Sequence, residues 1–182
     1  RMRFALEVVD AVRTVWPAQL PLLVRVSAVD AAEGGWDLDD TVALARALKA
    51  HGVDAIDCSS GGIGGPVVQT AVPRVAGFQV PFAERVRREA GIPTVAVGLI
   101  TQAEHAAEII EQGQADLVMI GREALIDPNW PSAARTQLQP EGGYAHWTEP
   151  LGWWLDRRVQ SVAARGSPAY VSASASASKE AS

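Results

Sequence analysis

The chain has 182 residues, of which 48% are hydrophobic and 20% are charged, and its formal net charge is −5. This composition predicts a globular chain with a core, and the acidic balance disfavours a nucleic-acid binder that relies on a basic face. The single cysteine, Cys58, excludes an internal disulfide and fits a reducing compartment. The sequence contains no apolar run long enough for a membrane span and no secretory leader, so we expect a cytoplasmic protein.

The first part of the chain predicts two helices and two strands in alternation. Helical spacing of apolar residues favours a helix over residues 3–15. The residues predicted for its buried face are Phe4, Val8, Ala11, Val12 and Val15. Residues 22–27 are typical of a buried strand, interrupted by Arg25, and Asp37 is a suitable N-cap for the helix that follows. Residues 54–58 predict the second strand.

The next part repeats the pattern after a long loop. Residues 59–79 are rich in glycine and proline, and a loop of that length either carries function or lacks order. A helix over residues 80–90 and strands over residues 94–97 and 117–120 follow. Between these strands, Thr101 and Glu104 match a capping box at the start of another helix. The residues predicted for the inner face of this helix are Ala103, Ala106, Ala107 and Ile110.

The repeated unit is a helix that ends at a glycine and leads into a short apolar strand. Strands alternating with helices predict an α/β fold with a parallel sheet and right-handed crossovers. Four strands with glycines, polar residues and long loops at their C-terminal ends resemble half of a (β/α)₈ TIM barrel. A doubly wound open sheet is the alternative, but the G-x-G-x-x-G fingerprint is absent. Since the sequence starts directly on a helix, we expect it to begin within a domain.

The chain is predicted to have three parts. Residues 1–138 carry the α/β pattern, and residues 139–165 form an aromatic-rich C-terminal segment. Residues 166–182 are dominated by serine and alanine, and such a composition predicts a disordered tail.

Residues 93–125 contain the strongest candidate site. Two predicted strands end at Gly98 and Gly121, and Arg122 follows the second glycine. Bare backbone N–H groups at helix starts attract anions, and an arginine adds a bidentate partner for a phosphate. The alternative is two ordinary turn glycines and a surface arginine. The arrangement in consecutive units favours a phosphate site.

Arg25 is the second candidate, because a guanidinium in an apolar strand is costly to bury unless it is paired. It could form a salt bridge with Asp57 or Glu33, or it could contact the electron-rich groups of a bound cofactor. Cys58 has no histidine or second cysteine near it in the sequence, which disfavours a nucleophile or a metal site. No complete acid–base pair is evident, so the sequence predicts ligand-holding groups without a catalytic residue.

Several segments resemble a known family when they are taken in order. These segments are RMRFALEVVDAVRTVWP, LPLLVRVSA, GGWDLDDTVALARALKAHGVDAIDCSSGG, GFQVPFAERVRREAGIPTVAVGLIT and ADLVMIGREALIDPNWP. Together, over residues 1–138, they resemble the C-terminal half of the old yellow enzyme family of FMN-dependent ene-reductases. They are most similar to the branch containing the bacterial xenobiotic reductases. The resemblance implies that the four strands are strands five to eight of the barrel.

The resemblance also implies roles for individual residues. Arg25 matches the arginine that contacts the flavin ring near N1 and O2, where it would stabilise the anionic reduced flavin. Gly98, Leu99 and Ile100 match the loop that holds the FMN phosphate. Gly121 and Arg122 match its partner after strand eight. Trp147 resembles the tryptophan that reaches substrate or a neighbouring subunit's active site.

The family's substrate-binding histidines and proton-donating tyrosine lie in the first half of the barrel, and no residue here matches them. The resemblance therefore implies an FMN- and NAD(P)H-dependent enzyme that reduces activated C=C bonds, with this chain inactive alone. Its partners would be the missing N-terminal half, a small activated alkene and, when complete, further copies of itself. The alternatives are a non-catalytic half-barrel that binds a phosphate ligand or self-associates, and another phosphate-binding barrel enzyme.

Overall fold

The structure, a computed structural model, describes residues 1–61 and 74–166. The chain divides into two compact units, the first ending at Trp130 and the second beginning at Pro131. The serine- and alanine-rich tail predicted from residue 166 lies outside the described residues beyond Gly166, as do residues 62–73 of the long loop.

The first unit is a four-stranded parallel sheet with helices between the strands, which confirms the predicted fold class. Its strands lie side by side in chain order, as in a segment of a (β/α)₈ barrel and unlike a doubly wound sheet, where the order reverses. The elements are α1 (Arg3–Arg13), β1 (Leu23–Ser27), α2 (Leu38–Ala50), β2 (Ala55–Ser59), α3 (Val80–Ala90), β3 (Thr94–Ala96), α4 (Ala103–Glu111), β4 (Leu117–Val118) and α5 (Arg122–Ile126).

Successive side chains of each strand alternate between the two faces of the sheet. One set packs with the helices in a single hydrophobic core, where Ile56 and Cys58 of β2 are fully buried. The other set lies on the opposite face, where strand register aligns Arg25 with Asp57. Leu117, at the edge of the sheet on this second face, is 54% exposed. The second face corresponds to the interior of a barrel.

The predicted buried face of α1 is wrong. Phe4, Val8 and Val15 are exposed, whereas Val9 is buried and Ala5 packs against the core. The helix carries two apolar stripes, and periodicity alone does not say which one faces inward. The side chain of Arg13 bonds to Gly52 and Asp54, and in the observed rotation of the helix Val9 faces the core.

The start of α4 also differs from its prediction. The N-cap is Gln102 rather than Thr101, and the side chain of Gln102 forms no capping hydrogen bond. On its inner face Ile109 is buried, while Ile110 is 42% exposed. The first helical residue is Ala103, and the helix follows a turn in which Gly98 and Leu99 have positive φ angles.

Within the first unit, two matching arginine–aspartate clusters join successive helix–strand repeats at the N-terminal ends of the strands. Arg13 donates to the Gly52 carbonyl and to Asp54, and Asp54 Oδ2 also accepts from the Leu22 N–H at 2.7 Å. In the second cluster Arg87 donates to the Gly113 carbonyl at 3.1 Å and to Asp116 at 3.0 Å. Asp116 accepts from the Thr94 N–H at 2.9 Å. Each carboxylate therefore ties a helix to the start of a strand, at the end of the sheet opposite the candidate site.

The second unit comprises most of α6 (Trp130–Leu138), a 3₁₀ turn (Pro140–Gly142) and α7 (Glu149–Arg165). Gly152 allows α7 to approach the Tyr144 carbonyl, because a Cβ there would lie only 2.8 Å from that oxygen. The described part of the chain contains no helix with both the length and the hydropathy needed to cross a bilayer.

We expect Asp54→Asn to lower the free energy of unfolding by about 1 kcal/mol at pH 7, a figure that allows for solvent screening of the half-exposed side chain. The Leu22 N–H, followed by Arg13, lowers the pKa of Asp54 despite partial desolvation. This contribution is present above the unfolded-state pKa of about 3.9 and is lost as the pH falls through the lower folded-state pKa. Urea unfolding at pH 7 and pH 3 measures the difference between the two proteins.

Glu108→Gln is the control, because Glu108 is exposed and forms no ion pair with the described residues. An Asp54→Asn protein that is as stable as the Glu108→Gln protein at pH 7 would contradict the role of the cluster.

Candidate functional site

A cavity of about 280 Å³ lies at the C-terminal ends of the strands and contains all six residues predicted to hold a cofactor. These residues are Arg25, Gly98, Leu99, Ile100, Gly121 and Arg122. They come from three strands and the segments that follow them, because parallel strands end at the same edge of the sheet. The structure thus brings together residues that are almost a hundred positions apart.

The segment after β3 has the most unusual backbone in the cavity. Gly98 has a φ of +118° and Leu99 a φ of +54°, so two consecutive residues lie outside the usual regions. A positive φ at a leucine costs roughly 1 kcal/mol or more and is typical of functional sites. The N–H groups of Gly98 and Leu99 donate no hydrogen bond to other described residues. Since both residues line the cavity, these N–H groups are candidates for binding an anion.

Ile100 and Gly121 contribute backbone rather than side chains. The side chain of Ile100 is 3% exposed and belongs to the core, which leaves its backbone to line the cavity. A Cβ at Gly121 would meet open space. Because α5 has only five residues, its dipole is small, so the attraction for an anion after β4 comes mainly from the exposed Arg122 guanidinium.

Gln79 is a functional candidate that the sequence did not single out. It is 4% exposed, and its Nε2 donates to the carbonyl and the hydroxyl of Ser60, both at 2.9 Å. Gly98 packs directly on Gln79, and the Gly98 carbonyl accepts a hydrogen bond from the Gly77 N–H at 2.8 Å. Gln79 therefore connects the end of β2 to the turn after β3. No local pattern marks it, since both contacts involve residues 19 positions away.

The sequence left open whether Arg25 forms a salt bridge or contacts a ligand, and its position in the structure is compatible with both. Its Nε lies 3.6 Å from Asp57 Oδ2, and its Nη2 donates to Ser59 Oγ at 3.0 Å. The ion pair is with Asp57 and not with Glu33. The side chain nevertheless remains 60% exposed and lines the cavity, so it is both paired and accessible to a ligand.

Cys58 lies on the helix-facing side of the same strand and is fully buried. Burial, followed by the charge of Asp57, raises the pKa of its thiol to about 12, so it stays protonated at neutral pH. Within residues 1–61 and 74–166, no group of three or more His, Cys, Asp and Glu side chains is placed to bind a metal ion.

Trp147 lies in the second unit, where its indole N–H donates to Thr136 Oγ1 at 3.2 Å. Tyr144 and His146 pack against the indole with ring centroids 6.2 and 6.3 Å away. His146 Nε2 lies 2.8 Å from the Ser132 carbonyl. Trp147 is thus partly buried and bonded within its own unit, and its contact with substrate or a neighbouring subunit stays a prediction.

The chemistry of the cavity is that of anion binding. The ionisable side chains among its described lining residues are Arg25, Arg74, Arg122 and Glu123. Three guanidiniums outnumber one carboxylate, and arginine does not transfer protons at neutral pH. Backbone N–H groups and arginines are the donors that bind phosphates, so these residues fit the phosphate of a nucleotide-like cofactor.

We expect Gly98→Ala to destabilise the fold by about 1–3 kcal/mol, because alanine is strained at this φ. Its Cβ would also lie 3.1–3.2 Å from atoms of Gln79. Gly121→Ala is the matched control, since φ there is −114° and a Cβ meets nothing within 4 Å. We expect the control to stay within about 0.5 kcal/mol of the unsubstituted chain. Urea unfolding measures both, and equal stabilities would contradict the strained turn.

Comparison with known proteins covers most of the chain. The model of the NADH:flavin oxidoreductase / NADH oxidase family matches residues 1–141. The NADPH dehydrogenase of Geobacillus thermodenitrificans (strain NG80-2) is 49% identical over 138 residues, which are 76% of this chain and 39% of that protein. The NADPH dehydrogenase of Bacillus subtilis (strain 168) is 45% identical over 141 residues, 78% of this chain and 40% of that protein.

A solved structure of histamine dehydrogenase from Rhizobium sp. 4-9 shares the fold, with a TM-score of 0.59 at 23% identity. The similarity covers 78% of this chain and 20% of that protein. This chain spans about two fifths of the length of the NADPH dehydrogenases it matches. With most of its length matched by the family model, the chain belongs to the NADH:flavin oxidoreductase / NADH oxidase family.

Proposed function

We propose that this chain is the cofactor-holding half of an FMN-dependent NAD(P)H oxidoreductase that reduces activated C=C bonds, such as those of enones. The observation that carries the proposal is the cavity, which combines unbonded N–H groups at Gly98 and Leu99 with Arg25 and Arg122. Membership of a flavin oxidoreductase family supports FMN as the ligand. The similarity to NADPH dehydrogenases supports NADPH or NADH as the reductant.

Each group has a distinct role in this proposal. The backbone of residues 98–100 and Gly121 binds the FMN phosphate, and Arg122 neutralises its charge through charge-assisted hydrogen bonds. Arg25, on the barrel-interior face, contacts the flavin ring. When bound, FMN supplies hydride transfer from NAD(P)H to the alkene, while these residues hold and orient it.

In this proposal the groups that bind substrate and donate the proton are supplied by the N-terminal half of the barrel, and the described lining residues supply the groups that hold the cofactor. Two exposed apolar flanks support a partner that completes the barrel. At one end Phe4 of α1 and Val15, just after α1, are 76% and 82% exposed, and at the other Leu125 and Ile126 of α5 are 84% and 80% exposed. We propose that an N-terminal half-barrel covers both flanks and that the complete enzyme acts in the cytoplasm.

Reconstitution tests this proposal. The chain is co-expressed with the portion of the Geobacillus thermodenitrificans NADPH dehydrogenase that it does not match, and the purified complex is assayed with FMN. We expect a yellow complex that oxidises NADPH in the presence of 2-cyclohexenone, and we expect this chain alone to be inactive. A complex that forms but binds no flavin would contradict the proposal. Flavin binding without enone-dependent oxidation of NADPH would support the flavoprotein part of the proposal and contradict an enone as the electron acceptor.

Arg122→Gln in the reconstituted complex should weaken FMN binding roughly 10- to 100-fold, which is the effect of losing a hydrogen-bonded charge. Flavin fluorescence titration measures the dissociation constant. Arg88→Gln is the matched control, because Arg88 is exposed, pairs only with the adjacent Glu89 among the described residues and lies outside the cavity. Equal affinities of the two variants would exclude Arg122 from the phosphate site.

A second candidate is a non-catalytic half-barrel that binds a phosphate ligand or self-associates. The exposed Leu117 and Met119 on the barrel-interior face, next to the unpaired edge of β4, favour this alternative. Sedimentation velocity separates it from the first proposal, since a stable monomer would count against self-association. A colourless complex with a phosphate ligand would instead favour another barrel enzyme. In a complete homo-oligomer, Trp147 would be the contact to the neighbouring subunit.

A further inference from the structure

Arg25 and Asp57 form a charge pair on the barrel-interior face of the sheet. They lie opposite each other in the register of β1 and β2, so both side chains leave the sheet on the same side. The Arg25 Nε to Asp57 Oδ2 distance is 3.6 Å, longer than a normal hydrogen bond. The two groups therefore interact mainly through charge.

The two partners differ sharply in their surroundings. Asp57 is 4% exposed, and its Oδ1 is buried with no hydrogen-bond partner in the described part of the chain. Arg25 is mostly exposed, and its Nη2 is oriented by Ser59. Desolvation raises the pKa of Asp57, and the charge of Arg25 opposes that rise. The buried carboxylate of Asp57 is thus paired with an arginine that lines the cavity.

A buried carboxylate with an unpaired oxygen is costly for the fold. Hydrophobic residues of similar size in such positions are often neutral or stabilising, so stability does not explain why an aspartate occupies this one. What it does supply is a negative charge 3.6 Å from the guanidinium that lines the cavity. That charge cancels part of the field that Arg25 exerts on the cavity.

We propose that Asp57 is a positioning and counter-charge residue for Arg25, setting how much positive charge the cavity presents to the ring of its ligand. The inference rests on the proposed function, in which that ligand is a flavin. An uncompensated Arg25 would favour the more negative, reduced form of the cofactor. Asp57 lowers this preference and thereby lowers the reduction potential of the bound flavin.

The first test measures the reduction potential of FMN in the reconstituted complex by equilibration with redox dyes. We expect Asp57→Asn to favour the reduced cofactor about tenfold, which for a two-electron couple is a shift of about 30 mV to more positive potential. Asp54→Asn is the charge-matched control, because it removes a carboxylate from the other end of β2, away from the cavity. An unchanged or more negative potential in the Asp57→Asn protein would overturn the proposal.

The second test needs no flavin. A double-mutant cycle with Arg25→Gln, Asp57→Asn and the double variant is measured by urea unfolding of the full chain. We expect Arg25→Gln to increase the unfolding equilibrium constant at least fivefold more when Asp57 is present than when asparagine replaces it. That difference arises because only Asp57 leaves a buried, uncompensated charge. Additive effects would overturn the pairing.

The two tests separate the possible failures. A reconstituted complex that binds no flavin contradicts the proposed function, and the cycle then still decides whether Asp57 is coupled to Arg25. Coupling in the cycle without a shift in potential overturns the tuning of the cofactor. Coupling together with the expected shift supports both steps.

Discussion

The alternation of side chains in a parallel sheet is the constraint on which the structure depends. Each strand directs one set of residues into the core formed with the helices and the other set away from it. Buried residues such as Ile56 stabilise the sheet from one side by removing apolar surface from water. The opposite face is then free to carry charged groups, and only there does an arginine within a strand remain accessible. Stability and ligand binding thus use different faces of the same four strands.

The two ends of the sheet also differ in what they do: one end carries contacts that hold the fold together, and the other carries the candidate ligand site. At the N-terminal ends, Asp54 and Asp116 each accept hydrogen bonds from a backbone N–H at the start of a strand and from an arginine of a helix. These contacts tie successive helix–strand repeats of the first unit together. At the C-terminal ends, Gly98 and Leu99 adopt strained conformations and leave N–H groups unbonded within the described residues. The contact between Gln79 and Gly98 supports that strained turn. The contacts that stabilise the fold are thus at the N-terminal ends of the strands, while the unbonded N–H groups are at the C-terminal ends.

Sequence patterns predicted the elements well because each pattern reflects a local physical requirement. Glycine at position 91 ends α3 in the left-handed conformation, and Asp37 caps α2 through a reciprocal bond with Asp40. The patterns failed where two local solutions were equally good. For α1 both apolar stripes satisfied helical periodicity, and at Thr101 a capping signature stood one residue away from the observed N-cap. For α1 the packing of Val9 against the core, a tertiary contact, made the choice, whereas the difference at Thr101 is local.

The sequence by itself determined the α/β class, the order of the elements and the position of Gly98, Gly121 and Arg122 at the ends of strands, whereas Leu99 and Ile100 were assigned only through the family resemblance. The class, the order and the strand ends follow from hydrophobic periodicity and from the rule that parallel strands end on the same side. Only the tertiary structure decided that Arg25 pairs with Asp57, that Gln79 supports Gly98, and that Val9 rather than Phe4 faces the core. Each of these depends on the distance between segments that are remote in the chain. Such distances arise from packing, which no local pattern encodes.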